Sequence, residues 1–211
     1  MGAQLGRAAI HMTTGIAALL LVQVAQVKNE VLTGVIGWAC GAVVALDIIR
    51  CGIMILLPPS NRRVITVWLL SKTPFRIGEM MEPTAMTSYC AGILVCYLAL
   101  PLHLALYAVL ILAFGDPFAR ICGTLIPSRR FANGKSLAGV IGFVGAGLFI
   151  LLISNGLEIG YPLAPRGMRV GVQFVGVFVG AATEFLFTRF DNFLIPVLSG
   201  ATMGIIYYTL A

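Results

Sequence analysis

Acidic and basic residues in four separated segments have the types and spacings that bind a divalent cation and phosphate groups. Mg²⁺ prefers carboxylate oxygens together with phosphate oxygens, while a lysine attracts a phosphate as a point charge. The sequence therefore predicts a shared site for Mg²⁺ and a nucleotide phosphate chain. The residues concerned are Asp47 with Arg50, Asp116, Lys135 with Ser136, and Glu184 with Asp191 and Asn192.

Two of these segments contain local helix and turn signals. Asp116 followed by Pro117 is typical of a helix start, with Asp as the N-cap, and a free helix N-terminus attracts anions. Gly134-Lys135-Ser136 matches the end of a Walker A motif, but position 129, where that motif has its first glycine, is Arg. Lys135 is therefore predicted to bind phosphate by its charge alone, on a turn before a helix.

Glu184 and Asp191 flank a short turn between two apolar segments, close enough in sequence for their carboxylates to share one cation. The alternative interpretation is that such charges only mark the ends of membrane helices. Asp47 with Arg50, for example, has the i, i+3 spacing of a simple ion pair. Charge placement alone leaves both interpretations open.

The composition indicates what kind of protein must position these residues. Of the 211 residues, 59% are hydrophobic and only 10% are charged, and the mean hydropathy is +0.99. Such a chain has too few polar residues to cover a water-soluble core. In lipid the backbone must hydrogen-bond within itself, and the apolar runs lack the alternation of an outer-membrane barrel. We therefore expect an all-α, polytopic membrane helical bundle formed by one domain, residues 1–211.

The apolar runs predict about seven transmembrane helices, since a span needs about 20 apolar residues. A shorter apolar run flanked by basic residues, between 62 and 83, predicts a cytoplasmic interfacial helix. The count depends on Pro101, which either kinks one helix or separates two. The first run is expected to be retained rather than cleaved as a signal peptide. The predicted spans are residues 8–27, 31–57, two helices within 84–114, 137–153, 169–187 and 193–210.

Basic residues favour two helices around Pro101, because Lys and Arg gather on the cytoplasmic side of membrane proteins. With seven spans, all Lys and Arg residues except Lys28, Arg166 and Arg169 fall on one side. We therefore predict a cytoplasmic N-terminus, an extracytoplasmic C-terminus and a site that faces the cytoplasm. The net charge of +6 follows from this topology and from anionic lipid, and requires no nucleic-acid partner.

The order of the motifs resembles that of the polyprenol kinase family, which contains dolichol kinases, phytol kinases and CTP-dependent diacylglycerol kinases. The resemblance covers about residues 7–200 and includes six short motifs in order. They are Arg7-x-x-x-His11-x-x-x-Gly15; Asp47-x-x-Arg50; Arg76-x-x-Glu79 or Glu82 before Pro83-Thr84-Ala85; Gly115-Asp116-x-x-Ala119-x-x-x-Gly123; Gly134-Lys135-Ser136-x-x-Gly139; and Glu184 followed by Asp191-Asn192-x-x-x-Pro196.

The resemblance implies transfer of the terminal phosphoryl group of CTP, or of ATP, to the hydroxyl of a membrane lipid alcohol. The alcohol would be an isoprenoid of the dolichol, polyprenol or phytol type, or diacylglycerol, and Mg²⁺ would be the cofactor. The roles implied are Mg²⁺ binding by Asp116 and Asp191 with Glu184 assisting; nucleotide contacts by Lys135, Ser136, Arg50, Arg76 and Asn192; and catalysis by Asp116 with Asp47 or His11, which would orient or deprotonate the alcohol.

Two other functions are compatible with the same residues. A CTP-dependent cytidylyltransferase acting on a lipid phosphate needs the same metal and triphosphate site, but it attacks the α-phosphorus and releases pyrophosphate. A small multi-pass transporter would instead bind its substrate near the membrane midplane. Clustering of the charges at one membrane face argues against a transporter. The sequence does not specify the lipid, the nucleotide or the oligomeric state.

Overall fold

The computed structural model describes residues 9, 11–17, 20, 29–72, 81–156 and 166–210. Arg7, Arg76 and Glu79 lie outside these residues. The first helix, α1, is described at residues 9, 11–17 and 20. The helices that follow are α2 (Asn29–Leu56), α3 (Pro59–Lys72), α4 (Ala85–Ala99), α5 (Leu102–Leu125), α6 (Leu137–Gly156), α7 (Arg166–Leu186) and α8 (Asp191–Leu210). The described part of the chain contains no strand, so the all-α class is confirmed.

Five helices, α2 and α5 to α8, are long and apolar enough to cross a membrane. The 24 residues of α5 correspond to about 36 Å at about 1.5 Å per residue, more than the roughly 30 Å of a bilayer core. Along α2, Trp38 and Leu56 are 84% and 86% exposed. A helix that exposes large apolar side chains is typical of a surface that faces lipid.

The seven predicted spans are not all established by these helices. The 15 residues of α4 correspond to only about 22 Å, and α1 is described in part. α3 covers the first part of the segment that is predicted to be interfacial, and its apolar side chains Val64, Val67 and Trp68 are exposed. The count of seven therefore stays a prediction.

Pro101 separates two helices rather than kinking one. α4 ends at Ala99, Leu100 is extended, and α5 begins at Leu102. The ring of His11 on α1 stacks on Tyr89, near the start of α4, and also contacts Asp116, in the second half of α5. Because one side chain touches the start of α4 and the later part of α5, these two helices run antiparallel.

α5 is the central helix of the bundle, since every residue from Leu104 to Ala113 is buried. α6 lies very close to it. A Cβ atom at Gly142 would lie 2.9 Å from the carbonyl oxygen of Phe118, and one at Gly139 would lie 3.0 Å from that of Ala119. Small residues at such contacts allow two helix backbones to approach each other. This contact brings the start of α6 beside the second half of α5.

The prediction that Asp116 and Pro117 begin a helix is wrong. α5 continues through both residues to Leu125, so the connection to α6 consists of residues 126–136. Pro117 lacks the N–H group that would bond within the helix, but helices enclosed by neighbours in a membrane protein tolerate that loss. Both residues are buried. Packing around α5 therefore outweighs the local helix-start signal, and Asp116 has no free helix N-terminus beside it.

Candidate functional site

One end of the bundle contains a cavity of about 260 Å³, where α5, α6, α7 and α8 meet the 126–136 connection. The connection is held against the end of α7 by two contacts. Asn133 donates from Nδ2 to the carbonyl oxygen of Phe185 at 2.5 Å, and the ring of Phe131 packs edge-on against that of Phe185 at 4.8 Å. The charged residues that line the cavity are Arg120, Arg130, Lys135, Glu184 and Asp191.

Three carboxylates from three helices form what we call the carboxylate cluster, and two of them, Glu184 and Asp191, line the cavity. One oxygen each of Asp116 on α5, Glu184 on α7 and Asp191 on α8 lies within 4.8 Å of the other two. Asp116 and Glu184 are only 2% and 6% exposed. Negative charges this close and this buried repel each other unless cations compensate them. A set of oxygen donors alone is what Mg²⁺ and similar hard cations prefer.

Two basic side chains compensate part of this charge. The Nζ atom of Lys135 lies 2.5 Å from Oε1 of Glu184 and 3.7 Å from Oδ2 of Asp191. Arg120 donates from Nε to Oδ1 of Asp116 at 3.0 Å. The second oxygen of Glu184, Oε2, is buried and has no hydrogen-bond partner among the described residues. A buried acceptor without a partner is costly, so the cluster has an oxygen available to a further ligand.

The turn that carries Lys135 depends on glycine and on local hydrogen bonds. Gly134 has a φ angle of +83°, which glycine adopts without strain. The N–H group of Lys135 donates to Oδ1 of Asn133 at 3.1 Å, and an isolated antiparallel bridge pairs Arg130 with Ser136. The connection therefore presents the Lys135 side chain to the cluster from a fixed backbone.

The amide groups at the start of α6 are already used within the protein. Ser136 is buried, and its hydroxyl accepts a hydrogen bond from the N–H of Gly139 at 3.1 Å, as a helix N-cap does. Leu137 and Ala138 donate to the carbonyl of Arg129 and the hydroxyl of Ser128, both at 3.0 Å. An anion in the cavity would therefore be bound by basic side chains rather than by this helix terminus.

Arg120 and Arg130 line the cavity, although the sequence analysis gave neither a role in the site. Arg120 follows Asp116 by four residues, a spacing that is typical of an ion pair within a helix. Arg130 donates from its guanidinium to the carbonyl oxygens of Gly134 and Gly123, at 3.2 and 3.5 Å. The only sequence signal for Arg130 was its position among basic residues in the connection before Lys135.

A second polar group surrounds Asp47 and lies apart from the cavity. Asp47 is 8% exposed and accepts from Nε of Arg50 at 2.7 Å, from the N–H of Thr84 at 2.9 Å and from the hydroxyl of Thr87. Arg50 also donates to the carbonyl oxygen of Glu82 at 2.9 Å. Neither Asp47 nor Arg50 lines the cavity. Their contacts fasten the start of α4 to the end of α2.

His11 and Asn192 lie at the border of the carboxylate cluster. Nδ1 of His11 is 3.7 Å from Oδ2 of Asp116, and its ring stacks on Tyr89 with centroids 4.4 Å apart. Asn192 donates from its side chain to the carbonyl oxygen of Ala85 at 3.3 Å, and from its backbone to Oδ1 of Asp191 at 2.9 Å. Asn192 therefore ties α8 to α4 beside the cluster.

The structure thus brings together five residues that were predicted from the sequence, from three separate segments of the chain: Asp116, Lys135, Ser136, Glu184 and Asp191. Together with Arg120 and Arg130 they can hold a divalent cation next to a polyphosphate. Arg76, also predicted to contact phosphate, lies outside the described residues. Comparison with protein-family models, with curated proteins and with solved structures finds no significant match to this chain.

Proposed function

We propose that this protein is a membrane lipid kinase that transfers the terminal phosphoryl group of a nucleoside triphosphate, CTP or ATP, to a lipid alcohol. The observation that carries the proposal is the meeting of Lys135 with Glu184 and Asp191, beside Asp116, in one cavity. Phosphoryl transfer requires mainly positioning and charge compensation around the phosphates. Basic side chains and carboxylates within a few ångströms of each other supply both.

The carboxylate cluster fits the metal ion that such a reaction needs. Asp116, Glu184 and Asp191 offer only oxygen donors, and Oε2 of Glu184 is buried without a partner among the described residues. Mg²⁺ held there would neutralise charge on the phosphate oxygens when bound. Lys135, Arg120 and Arg130 would contact the triphosphate, since their side chains line the same cavity.

The reaction forms one bond and breaks one. The hydroxyl oxygen of the lipid attacks the γ-phosphorus, the bond from that phosphorus to the β,γ-bridging oxygen breaks, and the nucleoside diphosphate leaves. The hydroxyl proton is released to solvent, and the lipid becomes a phosphomonoester. His11 is assigned to orient the hydroxyl because it borders Asp116, whereas Asp47 is occupied by three hydrogen bonds that hold α4.

The site faces the cytoplasm in this proposal, with the N-terminus cytoplasmic and the C-terminus extracytoplasmic. The basic 126–136 connection supports that orientation, because basic loops stay inside. Lys135 lies two residues before the start of α6, Asp191 is the first residue of α8, and Glu184 lies two residues before the end of α7. Charges at helix ends favour chemistry at a membrane surface over a transport path through the midplane.

The test is incubation of purified protein with γ-labelled CTP or ATP and a panel of phytol, geranylgeraniol, dolichol and diacylglycerol. Transfer of label to one of these lipids is the expected result. Asp116→Asn and Lys135→Met should each lower the rate by about a thousandfold, as loss of a charge-stabilising group does in phosphoryl transfer. Glu30→Gln is the control, because Glu30 belongs to the first turn of α2, a helix of which no described residue lines the cavity.

Product analysis distinguishes the other two functions. Release of pyrophosphate with α-label retained on a lipid phosphate would show a cytidylyltransferase and contradict the kinase. Solute flux into liposomes without nucleotide, unaffected by Asp116→Asn, would show a transporter. Undiminished phosphoryl transfer by folded Asp116→Asn protein would exclude this cavity as the active site.

A further inference from the structure

Lys135 lies where a cation shared by two members of the carboxylate cluster would lie. Its Nζ atom is 2.5 Å from Glu184 and 3.7 Å from Asp191, so one ammonium group contacts carboxylates from two helices. Asp116, the third member, is paired with Arg120 instead. The side chain of Lys135 therefore acts as an internal cation between α7 and α8.

The cavity gives the ammonium group of Lys135 space for a second position. Lys135 lines the cavity, and its side chain is 21% exposed, whereas Glu184 and Asp191 are 7% and 16% exposed at the side chain. A lysine carries a compact point charge on a flexible four-carbon stem, so it can change partners without moving the backbone. A phosphate in the cavity would offer it such a partner.

A divalent cation and the Lys135 ammonium compete for the same oxygens. Two positive groups that share Glu184 and Asp191 repel each other at a few ångströms, and the repulsion is strong where water is largely excluded. Oε2 of Glu184 has no hydrogen-bond partner among the described residues, so one buried oxygen can accept a metal while Lys135 still holds the other. Full coordination requires Lys135 to leave.

We infer that Lys135 is a tethered competitor of the divalent cation, and that it moves from the carboxylates to the polyphosphate when metal and polyphosphate enter together. This inference depends on the metal assignment made in the proposed function. It means that the metal alone binds weakly, because its binding displaces Lys135 into a cavity with no anion. Metal and polyphosphate then bind as a pair, each making room for the other.

Arg130 provides a matched comparison within the same cavity. Its guanidinium also lines the cavity, but its hydrogen bonds go to the backbone carbonyls of Gly134 and Gly123. Replacing either residue by Met removes one positive charge from the cavity. Only replacement of Lys135 removes a group that is bonded to the carboxylate cluster.

The experiment measures Mn²⁺ binding to purified protein without nucleotide or lipid, by electron paramagnetic resonance of the free ion. Lys135→Met should bind Mn²⁺ about tenfold or more tightly than the unsubstituted protein, since one ion-pair competitor near a buried site is removed. Lys135→Arg keeps the charge and should differ little. Arg130→Met should change the affinity by no more than about threefold, as expected for a charge without direct contact. Adding Glu184→Gln to Lys135→Met should remove the gain, which would place the ion at the cluster.

The outcomes separate the two ideas. Equal Mn²⁺ affinity of Lys135→Met and Arg130→Met, together with phosphate transfer by the unsubstituted protein, would overturn the competition and leave the proposed function standing. If Mn²⁺ binds to none of the variants, or if Glu184→Gln has no effect on it, the metal assignment itself fails. If Lys135→Met does not fold, Lys135→Gln, which keeps a polar side chain, replaces it and the same affinities are expected.

Discussion

Arg120 and Asp116 are joined across one turn of α5, with Nε of the arginine 3.0 Å from Oδ1 of the aspartate. The aspartate side chain is 3% exposed and the arginine side chain 33% exposed. Asp116 thus sits with one oxygen on Arg120 and the other directed to His11, 3.7 Å away. The pair fixes the member of the carboxylate cluster that lies on the central helix.

Arg120→Met is expected to weaken both stability and nucleotide binding. It leaves the charge of Asp116 buried beside Glu184 and Asp191 without its arginine, at a cost of about 1–3 kcal/mol for a partly exposed pair. It also removes a cation from the cavity, so the KM for the nucleoside triphosphate should rise about tenfold. Thermal unfolding in detergent and steady-state kinetics measure the two effects.

A double-mutant cycle separates them. Asp116→Asn in the Arg120→Met protein removes the unpaired charge, so the melting temperature should recover, whereas phosphoryl transfer should be lost together with the Asp116 carboxylate. Equal melting temperatures for Arg120→Met and for the double variant would mean that the unpaired charge of Asp116 does not destabilise the fold.

The convergence of Asp116, Lys135, Glu184 and Asp191 could be anticipated from the sequence, because hydropathy predicts the helix ends and the basic residues predict that these ends share one side of the membrane. The path of the chain around Pro117 could not be anticipated in the same way. Asp-Pro at a helix start and Pro inside an enclosed helix give the same local sequence, and only the packing of α5 decides between them.

The role of Asp47 was equally hidden. A carboxylate within an apolar segment is a candidate catalytic group by its type alone. Its partners Thr84 and Thr87, however, are about forty residues away in the sequence, and their position depends on where α4 starts. Arg130 was missed for a related reason, since the 126–136 connection folds back on itself through Gly134. Tertiary contacts of this kind have no local sequence pattern.

Asp47→Asn should therefore act on stability more than on substrate binding. The amide cannot accept from Arg50, Thr84 and Thr87 together as the carboxylate does, and buried donors left without acceptors cost about 1–3 kcal/mol. A lower melting temperature in detergent with a KM for nucleotide within about twofold of the unsubstituted value is expected. A large rise in KM at unchanged melting temperature would instead assign Asp47 to the nucleotide site.

Two glycines on α6 provide a matched test of the close contact between α5 and α6. A Cβ at Gly142 would lie 2.7 Å from Sγ of Cys122 and 2.9 Å from the carbonyl oxygen of Phe118, whereas a Cβ at Gly145 would have nothing within 4 Å. Gly142→Ala should destabilise the fold by about 1–3 kcal/mol through overpacking. Gly145→Ala should be neutral or stabilising by up to about 1 kcal/mol, because alanine favours the helix. Equal melting temperatures for the two variants would contradict this arrangement.

Removal of the divalent cation should abolish phosphoryl transfer and also remove the stabilisation that nucleotide provides. A ligand that binds only the folded protein stabilises it by about 2.7 kcal/mol at a hundredfold excess over its Kd. Mg²⁺ with a non-hydrolysable CTP or ATP analogue should therefore raise the melting temperature, and excess EDTA should reverse the rise. Asp191→Asn removes one negative charge from the carboxylate cluster. The same ligands should therefore raise the melting temperature of this variant little or not at all. A full rise in EDTA, or in Asp191→Asn, would mean that the nucleotide binds without a metal at this cluster.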